Sequence, residues 1–346
     1  MIKEIYLAGG CFWGTEHFLK RIHGVVSTQT GFANGNTENP TYKEVYTDTT
    51  GYAETVQVCY DPQELSLAFL IEMFFKAIDP LSLNRQGEDS GTRYRTGVYY
   101  KDEADRAVAE YIFDGERRKY DGELAVELLP LKNWYPAEEY HQDYLDKNPD
   151  GYCHLPAALF ELSRGAKCPM RKVRDFLETN GISYDIYFHP PLYTIEEALA
   201  YWKDIDAVHC KNIFMRNHKG NRHYLVSFEC HKQLDIHGLE HMLHQGKLSF
   251  ASAERMDRCL GLRPGSVSPF GLINDIDLKD AKASELFENG HRVRLYLDQD
   301  VLDAERVSFH PCDNTASVVI SGEGLRRFLS IWGGETISLQ VQRQEC

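Results

Sequence analysis

The sequence predicts an α/β (α+β) protein of two domains, and three observations carry that reading. At 346 residues the chain exceeds one ordinary domain of about 100–200 residues. Short runs of period-two apolar residues alternate with segments of helical period in both halves. The net charge of −14 is uneven, −11 over residues 1–156 and −3 over the remainder, and the texture changes across 146–172, from turn-rich DKNPDGYCHLP through AALFEL to basic SRGAKCPMRK. The expected division is therefore a first domain at 1–156, a linker at 157–168 and a second domain at 169–346.

In order along the chain, EIYLA reads as a strand running into Gly9-Gly10. A helix then starts at Gly14 or Thr15, with Phe18, Leu19 and Ile22 on its apolar face. ETVQVCY alternates as a strand. Asp61-Pro62-Gln63-Glu64 has the cap, first-turn proline and following acid of a helix start, predicting a helix over ELSLAFLIEMFFKAI that Asp79-Pro80 ends. TGVYY is a strand, and 102–120 a helix. In the second half a helix near 170–179 stops at Asn180-Gly181, YDIYF is a strand, and Thr194-Ile195-Glu196-Glu197 is a capping box. CKNIFMRN and RHYLVSFE pair around HKGN, and Ser252 caps a helix that Gly261 stops. FGLIND, RVRLYL, RVSFHP and ASVVIS read as further strands.

Composition narrows the function. An acidic chain is a poor duplex-coating or polybasic membrane protein, because phosphate contacts need clustered Lys and Arg. No run approaches the roughly 18–20 apolar residues of a membrane span, and MIKEIYLAGGCFWG lacks the basic region and apolar length of a signal peptide. A soluble cytoplasmic protein without membrane contact is expected. Nine cysteines with no CxxC pair and no Cys/His ligand spacing make a metal site unexpected.

Gly10-Cys11-Phe12-Trp13-Gly14 is the most informative stretch. A strand feeds Cys11 and a helix begins just after it, so backbone N–H groups favour a thiolate there and lower its pKa. The flanking glycines permit a tight turn and close approach of a substrate, and two aromatics can wall a pocket for a small apolar group. A nucleophile also needs a proton partner. Glu54 opens ETVQVCY and shares a face with Val56 and Val58. Turned inward it is desolvated, its pKa rises, and it can donate a proton at neutral pH. Cys59 falls on the opposite face and reads as structural.

GCFWG together with PTYKEV, GYAE, GEDSGTRYRTGVYY, EEYHQDYL and NPDGYC resembles peptide methionine sulfoxide reductase A over roughly residues 3–156. The resemblance implies a two-layer ferredoxin-like α/β sandwich. It implies that Cys11 attacks the sulfoxide sulfur of free or protein-bound methionine S-sulfoxide while Glu54 supplies a proton to its oxygen. By the same resemblance Tyr42 and Tyr94 hold that oxygen, Asp89 orders the polar side, and Phe12 and Trp13 receive the methyl group. Cys153 matches the family's resolving cysteine, with thioredoxin, or dithiothreitol in vitro, as reductant and no bound cofactor. A further cysteine some nine residues later is common in the family; Leu162 stands there, and Cys168 is the next thiol.

The second half has no GxSxG, no paired catalytic carboxylates and no phosphate loop. HPPLYTIEEA, HCKNIFMRNHKGNRHYLV, LSFASAERMDRCLGLRPGSVSPFGLIND and SFHPCDNTASVVIS instead resemble the YbaK/ProX prolyl-tRNA editing family over about 170–335. That implies an α/β domain with a mixed, curved sheet that hydrolyses the ester of a wrong amino acid at a tRNA acceptor end. Lys211 matches the lysine the family needs. Asn212, the loop at Gly265, Ser266 and Ser268, and His310 would shape the pocket, and the wording sits nearest the subgroup that clears alanine from tRNA-Pro. Arg216, Lys219, Arg222 and Arg263 are candidate tRNA contacts. Such an editing site serves as a second sieve where a synthetase pocket rejects a smaller side chain by only about 1–3 kcal/mol. The sequence thus predicts a bifunctional quality-control enzyme. The alternatives are a reductase fused to a non-catalytic tRNA- or ribosome-binding module, and a cysteine-based redox sensor.

Overall fold

The computed structural model describes residues 1–343 apart from 193, 277, 279 and 280. Its backbone divides into two units, Met1–Cys168 and Pro169–Cys346.

In the first unit β1 (Lys3–Gly9), α1 (Phe12–Leu19), β2 (Val25–Ala33), β3 (Ala53–Tyr60), α2 (Leu67–Lys76) and β4 (Thr96–Tyr100) follow one another. Then come α3 (Glu103–Arg117), β5 (Glu127–Pro130), β6 (Trp134–Pro136) and α4 (Ala157–Gly165). The sheet order is β5-β4-β1-β3-β2-β6. β3 lies between β1 and β2 and is antiparallel to both, and β4 is antiparallel to β1. This is the split βαβ arrangement of a ferredoxin-like sandwich. Ile5, Leu7, Val56, Val58 and Val98 are fully buried on one face of the sheet. Tyr6, Ala8, Ala33, Ala53 and Tyr99 form a separate cluster on the other, with Leu131 and Trp134 packed against it.

Three local expectations change. α1 begins at Phe12 with Cys11 as its N-cap, not at Gly14. α2 begins at Leu67, capped by the Ser66 hydroxyl accepting from the Phe69 N–H. Asp61 instead closes a turn, its backbone carbonyl accepting from the N–H groups of Glu64 and Leu65. The segment 157–168, expected as linker, contains α4 and belongs to the first unit. Phe160 of α4 sits edge-on to the His17 ring of α1, with centroids 4.7 Å apart.

The second unit runs α5 (Pro169–Thr179), β7 (Tyr184–Phe188), α6 (Ile195–Trp202), β8 (Val208–Arg216), β9 (His223–Glu229), α7 (Ile236–Leu243), β10 (Ser249–Phe250) and α8 (Ala253–Leu260). β11 (Val293–Asp298), β12 (Arg306–Phe309), β13 (Ala316–Ser321), α9 (Gly322–Trp332) and β14 (Thr336–Leu339) follow among its main elements. The sheet is mixed, β14-β11-β9-β8-β12-β13-β7, with β10 added beside β8. β8–β12, β9–β11 and β11–β14 are parallel and the other neighbours antiparallel. FGLIND is not a strand. Ser268 caps a 3-10 helix over Pro269–Asp275, whose Phe270 and Leu272 enter the main core. Asp275 ends that helix buried, its carboxylate accepting from the Arg292 N–H and the Trp332 indole N–H. No helix among the described residues is long and apolar enough to cross a membrane.

Candidate active site

The turn between β1 and α1 is built around glycine. Gly10 has φ +84°, and a Cβ there would meet Gln86 Cβ at 2.6 Å, so only glycine lets the chain pass. Cys11 follows, 5% exposed. Its sulfur faces the N–H groups of Trp13 and Gly14, which favour the thiolate, yet burial outweighs them, and Glu54 and Asp89 add to it. The thiol pKa is therefore pushed well up, and the resting group is a thiol, not the thiolate the helix start alone suggests.

Glu54 lies on β3 opposite Phe32 of β2 and is 1% exposed. The Phe12 N–H donates to its Oε2 at 3.0 Å, while Oε1 has no hydrogen-bond partner. Burial raises its pKa to about 8, against the pull of the Phe12 N–H and Arg93. At neutral pH the carboxyl is a protonated acid with one oxygen free to carry the proton. Tyr42 and Tyr94 also feel this site: burial and then the Glu54 charge raise both phenols.

An aromatic wall closes the apolar side. The Phe12 ring lies 5.9 Å from Phe32, 6.3 Å from Tyr42 and 5.1 Å from His141, between centroids. Trp13 stacks on Tyr144 at 3.7 Å and donates its indole N–H to His141 Nδ1 at 3.1 Å. That bond puts the His141 proton on Nε2, and burial lowers the imidazole pKa to about 4. On the polar side Asp89 raises the Tyr152 phenol, after burial, to about 12. Asp89 also comes within 3.9 Å of His154 Nδ1.

Cys153 is half-buried over the first turn of α1. A Cβ on Gly14 would meet its Sγ at 2.9 Å. The sulfur accepts from the Leu155 N–H at 3.4 Å, and burial raises its pKa. Cys168 is buried, its Sγ 3.6 Å from the Ser66 hydroxyl. Among the described residues two groups have metal-ligand spacing: Cys11 with Asp89 and His154, within 4.8 Å of one another, and Glu229-Cys230-His231. The first coincides with the thiol site itself.

In the second unit Lys211 and Asn212 are neighbours on β8 in an unbroken register with β9, so they point to opposite faces. Asn212 shares a face with Cys210 and Phe214 of the main core, and its Oδ1 accepts from the Ser227 hydroxyl at 2.6 Å. Lys211 shares the other face with His209, whose ring stacks on Trp202 at 4.5 Å. β8 and β12 pair in parallel at Val208–Val307 and His209–Ser308. The pairing ends there, and His310 lies one residue beyond the end of β12. His310 Nδ1 lies 2.9 Å from the Ala316 carbonyl, and its ring is 5.9 Å from His189 and 6.2 Å from Trp202. Gly265 has φ +82° in the loop, the Ser266 N–H donates to the Arg263 carbonyl, and the buried Ser268 hydroxyl accepts from the Phe270 N–H.

A family profile described as peptide methionine sulfoxide reductase matches residues 3–167. The MsrA of Clostridium acetobutylicum is 55% identical over 160 residues, 46% of this chain and 99% of that protein. The chain belongs to the peptide methionine sulfoxide reductase family. The MsrA of Lachnoclostridium phytofermentans is 50% identical over 166 residues, 48% of this chain and all of that protein. The solved structure of Mxr1 from Saccharomyces cerevisiae in reduced form is 41% identical, covering 44% of this chain and 88% of that one with a TM-score of 0.43. A second profile, described as an aminoacyl-tRNA editing domain, matches residues 189–328. The reductase profile and the editing-domain profile thus match successive stretches of one chain.

Of the predicted residues in the reductase unit, Cys11, Glu54, Phe12 and Tyr42 converge through the contacts above, with Trp13 in the aromatic wall and Asp89 on the polar side. His141 and His154 were not singled out from the sequence. His141 ends a three-residue 3-10 helix and His154 lies outside any helix or strand, so no apolar period reports their burial. Their only signal was a position inside or beside a matched motif.

Proposed function

We propose that the first unit reduces methionine S-sulfoxide, free or protein-bound, through Cys11 and Glu54, with thioredoxin regenerating the enzyme. The observation that carries this reading is the buried Glu54 acid, held by the Phe12 N–H with its second oxygen unpartnered, at the same turn as the Cys11 thiol. A sulfoxide oxygen is a strong acceptor and a poor leaving group, so it must be protonated as the sulfur is attacked. Glu54 gives its proton to that oxygen and takes the thiol proton in return. The thiol and the sulfoxide become a sulfenic acid and a thioether: the substrate S–O bond breaks, its sulfur is reduced, and Cys11 is oxidised. This exchange suits a site where both groups start protonated. Tyr42 and Tyr94 hold the oxygen, Asp89 orders the polar side, and Phe12 and Trp13 pack on the methyl group.

Cys153 then forms a disulfide with Cys11 and releases water. Thioredoxin, or dithiothreitol in vitro, reduces the pair by thiol–disulfide exchange. All eight described cysteines are free, which suits a reducing compartment, and we assign the protein to the cytoplasm.

For the second unit we propose hydrolysis of the aminoacyl ester of Ala-tRNA-Pro. Lys211 shares a face of β8 with His209, and the Trp202 ring stacked on His209 lies 6.2 Å from His310; that common neighbour supports Lys211 and His310 at the ester. Asn212 acts from the opposite face as a strut, and Gly265, Ser266 and Ser268 shape the loop. No side-chain nucleophile is needed if a ribose hydroxyl and backbone groups position water. The test assays both activities on one preparation. Glu54→Gln should lose methionine release and keep deacylation, and Lys211→Ala the reverse. A Glu54→Gln protein as fast as wild type would remove the acid from the mechanism, and an active Lys211→Ala protein would remove the lysine.

A further inference from the structure

His154 lies over the Cys11 turn. Its side chain is 3% exposed, neither ring nitrogen has a side-chain hydrogen-bond partner, and the Gly9 backbone carbonyl favours its protonated form. Glycine leaves the space it occupies. Its Cε1 is 3.2 Å from where a Cβ on Gly14 would sit, and its Nε2 is 3.6 Å from the corresponding point on Gly10. The same Gly14 position is 2.9 Å from Cys153 Sγ. A ring nitrogen of His154, the Cys11 sulfur and an Asp89 oxygen all lie within 4.8 Å of one another. One imidazole therefore stands beside both thiols, with a carboxylate 3.9 Å from its Nδ1.

We propose that His154, positioned by Asp89, relays the proton in the second half of the reductase cycle, when Cys153 attacks the Cys11 sulfenic acid. The inference rests on the reading of Cys11 and Cys153 as the redox pair. The step needs such a group because the Cys153 thiol must lose a proton while the departing hydroxide must gain one. His154 accepts the thiol proton as the S–S bond forms and returns it to the hydroxide as the S–O bond of Cys11 breaks. The products are a disulfide and water. The Cys11 sulfur is reduced from the sulfenic to the disulfide level, the Cys153 sulfur is oxidised to it, and no outside reactant enters. Burial favours the neutral imidazole that can act as base, and the Asp89 charge steadies the imidazolium formed between the two transfers. Asp89 is the carboxylate facing His154 and Cys153, and Glu54 and Asp89 both face Cys11.

The test separates the two half-reactions. Reduced full-length protein is mixed with one equivalent of methionine sulfoxide without reductant. Methionine and the Cys11–Cys153 disulfide are then followed by rapid acid quench from pH 6 to 9. A relay through a neutral imidazole makes disulfide formation nearly level from pH 7 to 9. Control by the Cys153 thiolate alone makes it rise about tenfold per pH unit, because the thiol pKa is raised. His154→Gln and His154→Asn should slow disulfide formation about 100-fold at pH 7, within the usual range for general acid–base catalysis. They should also convert the level profile into the steep one. A steep profile in the wild type, or disulfide formation in both variants within twofold of wild type, would overturn the proposal. So would wild-type protein that releases methionine but forms no Cys11–Cys153 disulfide, and that result would leave the reductase reading of Cys11 standing.

Discussion

The acid at position 54 is set by two opposed influences that can be ranked. Burial favours the neutral form, and the Phe12 N–H and Arg93 favour the anion; burial wins, leaving the pKa at about 8. Two predictions follow at this scale. The rate of methionine release should fall as pH rises through about 8, where Glu54 loses the proton it must give, and Glu54→Gln should lose about 100- to 1,000-fold at pH 7. Stability moves in the same direction. Between the ordinary carboxylate range and about pH 8 the folded protein holds a proton that the unfolded chain has released, so stability declines as pH rises through that window. The melting temperature of Glu54→Gln, read by calorimetry, should accordingly gain on wild type from pH 5 to pH 9. A constant difference would mean that Glu54 is ionised in the folded protein. Cys11 shows the limit of a local motif: the helix-start N–H groups lower the thiol pKa, but burial outweighs them here.

At the level of elements, the strand–glycine–helix turn is the device that holds the site. Gly10→Ala places a Cβ against Gln86 in a backbone conformation that side chains rarely adopt, and should cost roughly 1–3 kcal/mol by denaturant unfolding together with much of the reductase activity. Most elements were legible in the sequence, because period-two runs such as ETVQVCY and cap residues such as Ser252 act over a few neighbours. What failed depended on packing between distant segments. Asp61-Pro62 resembles a cap, but the buried Ser66 takes that role. FGLIND has the composition of a strand, yet the buried Ser268 hydroxyl and the burial of Phe270 and Leu272 turn it into a 3-10 helix. The Lys211-Asn212 pair was legible as a motif, whereas the division of its two side chains between faces follows from an unbroken register with β9.

On the scale of the whole chain, the first unit extends to Cys168. A fragment 1–156 would lack α4 and expose the face of α1 that Phe160 covers. It should melt lower than a fragment 1–168, by thermal denaturation at equal concentration, and equal midpoints would show that α4 adds nothing. The two activities require no shared residue, so 1–168 should reduce sulfoxide and 169–346 should hydrolyse the ester. The central claim, oxygen removal by the Cys11 thiol, is tested most directly by intact-mass analysis of Cys153→Ser after one equivalent of methionine S-sulfoxide without reductant. One methionine should be released per chain while the Cys11 peptide gains the mass of a single oxygen. Methionine released with Cys11 unmodified, or released equally by Cys11→Ser, would contradict the account.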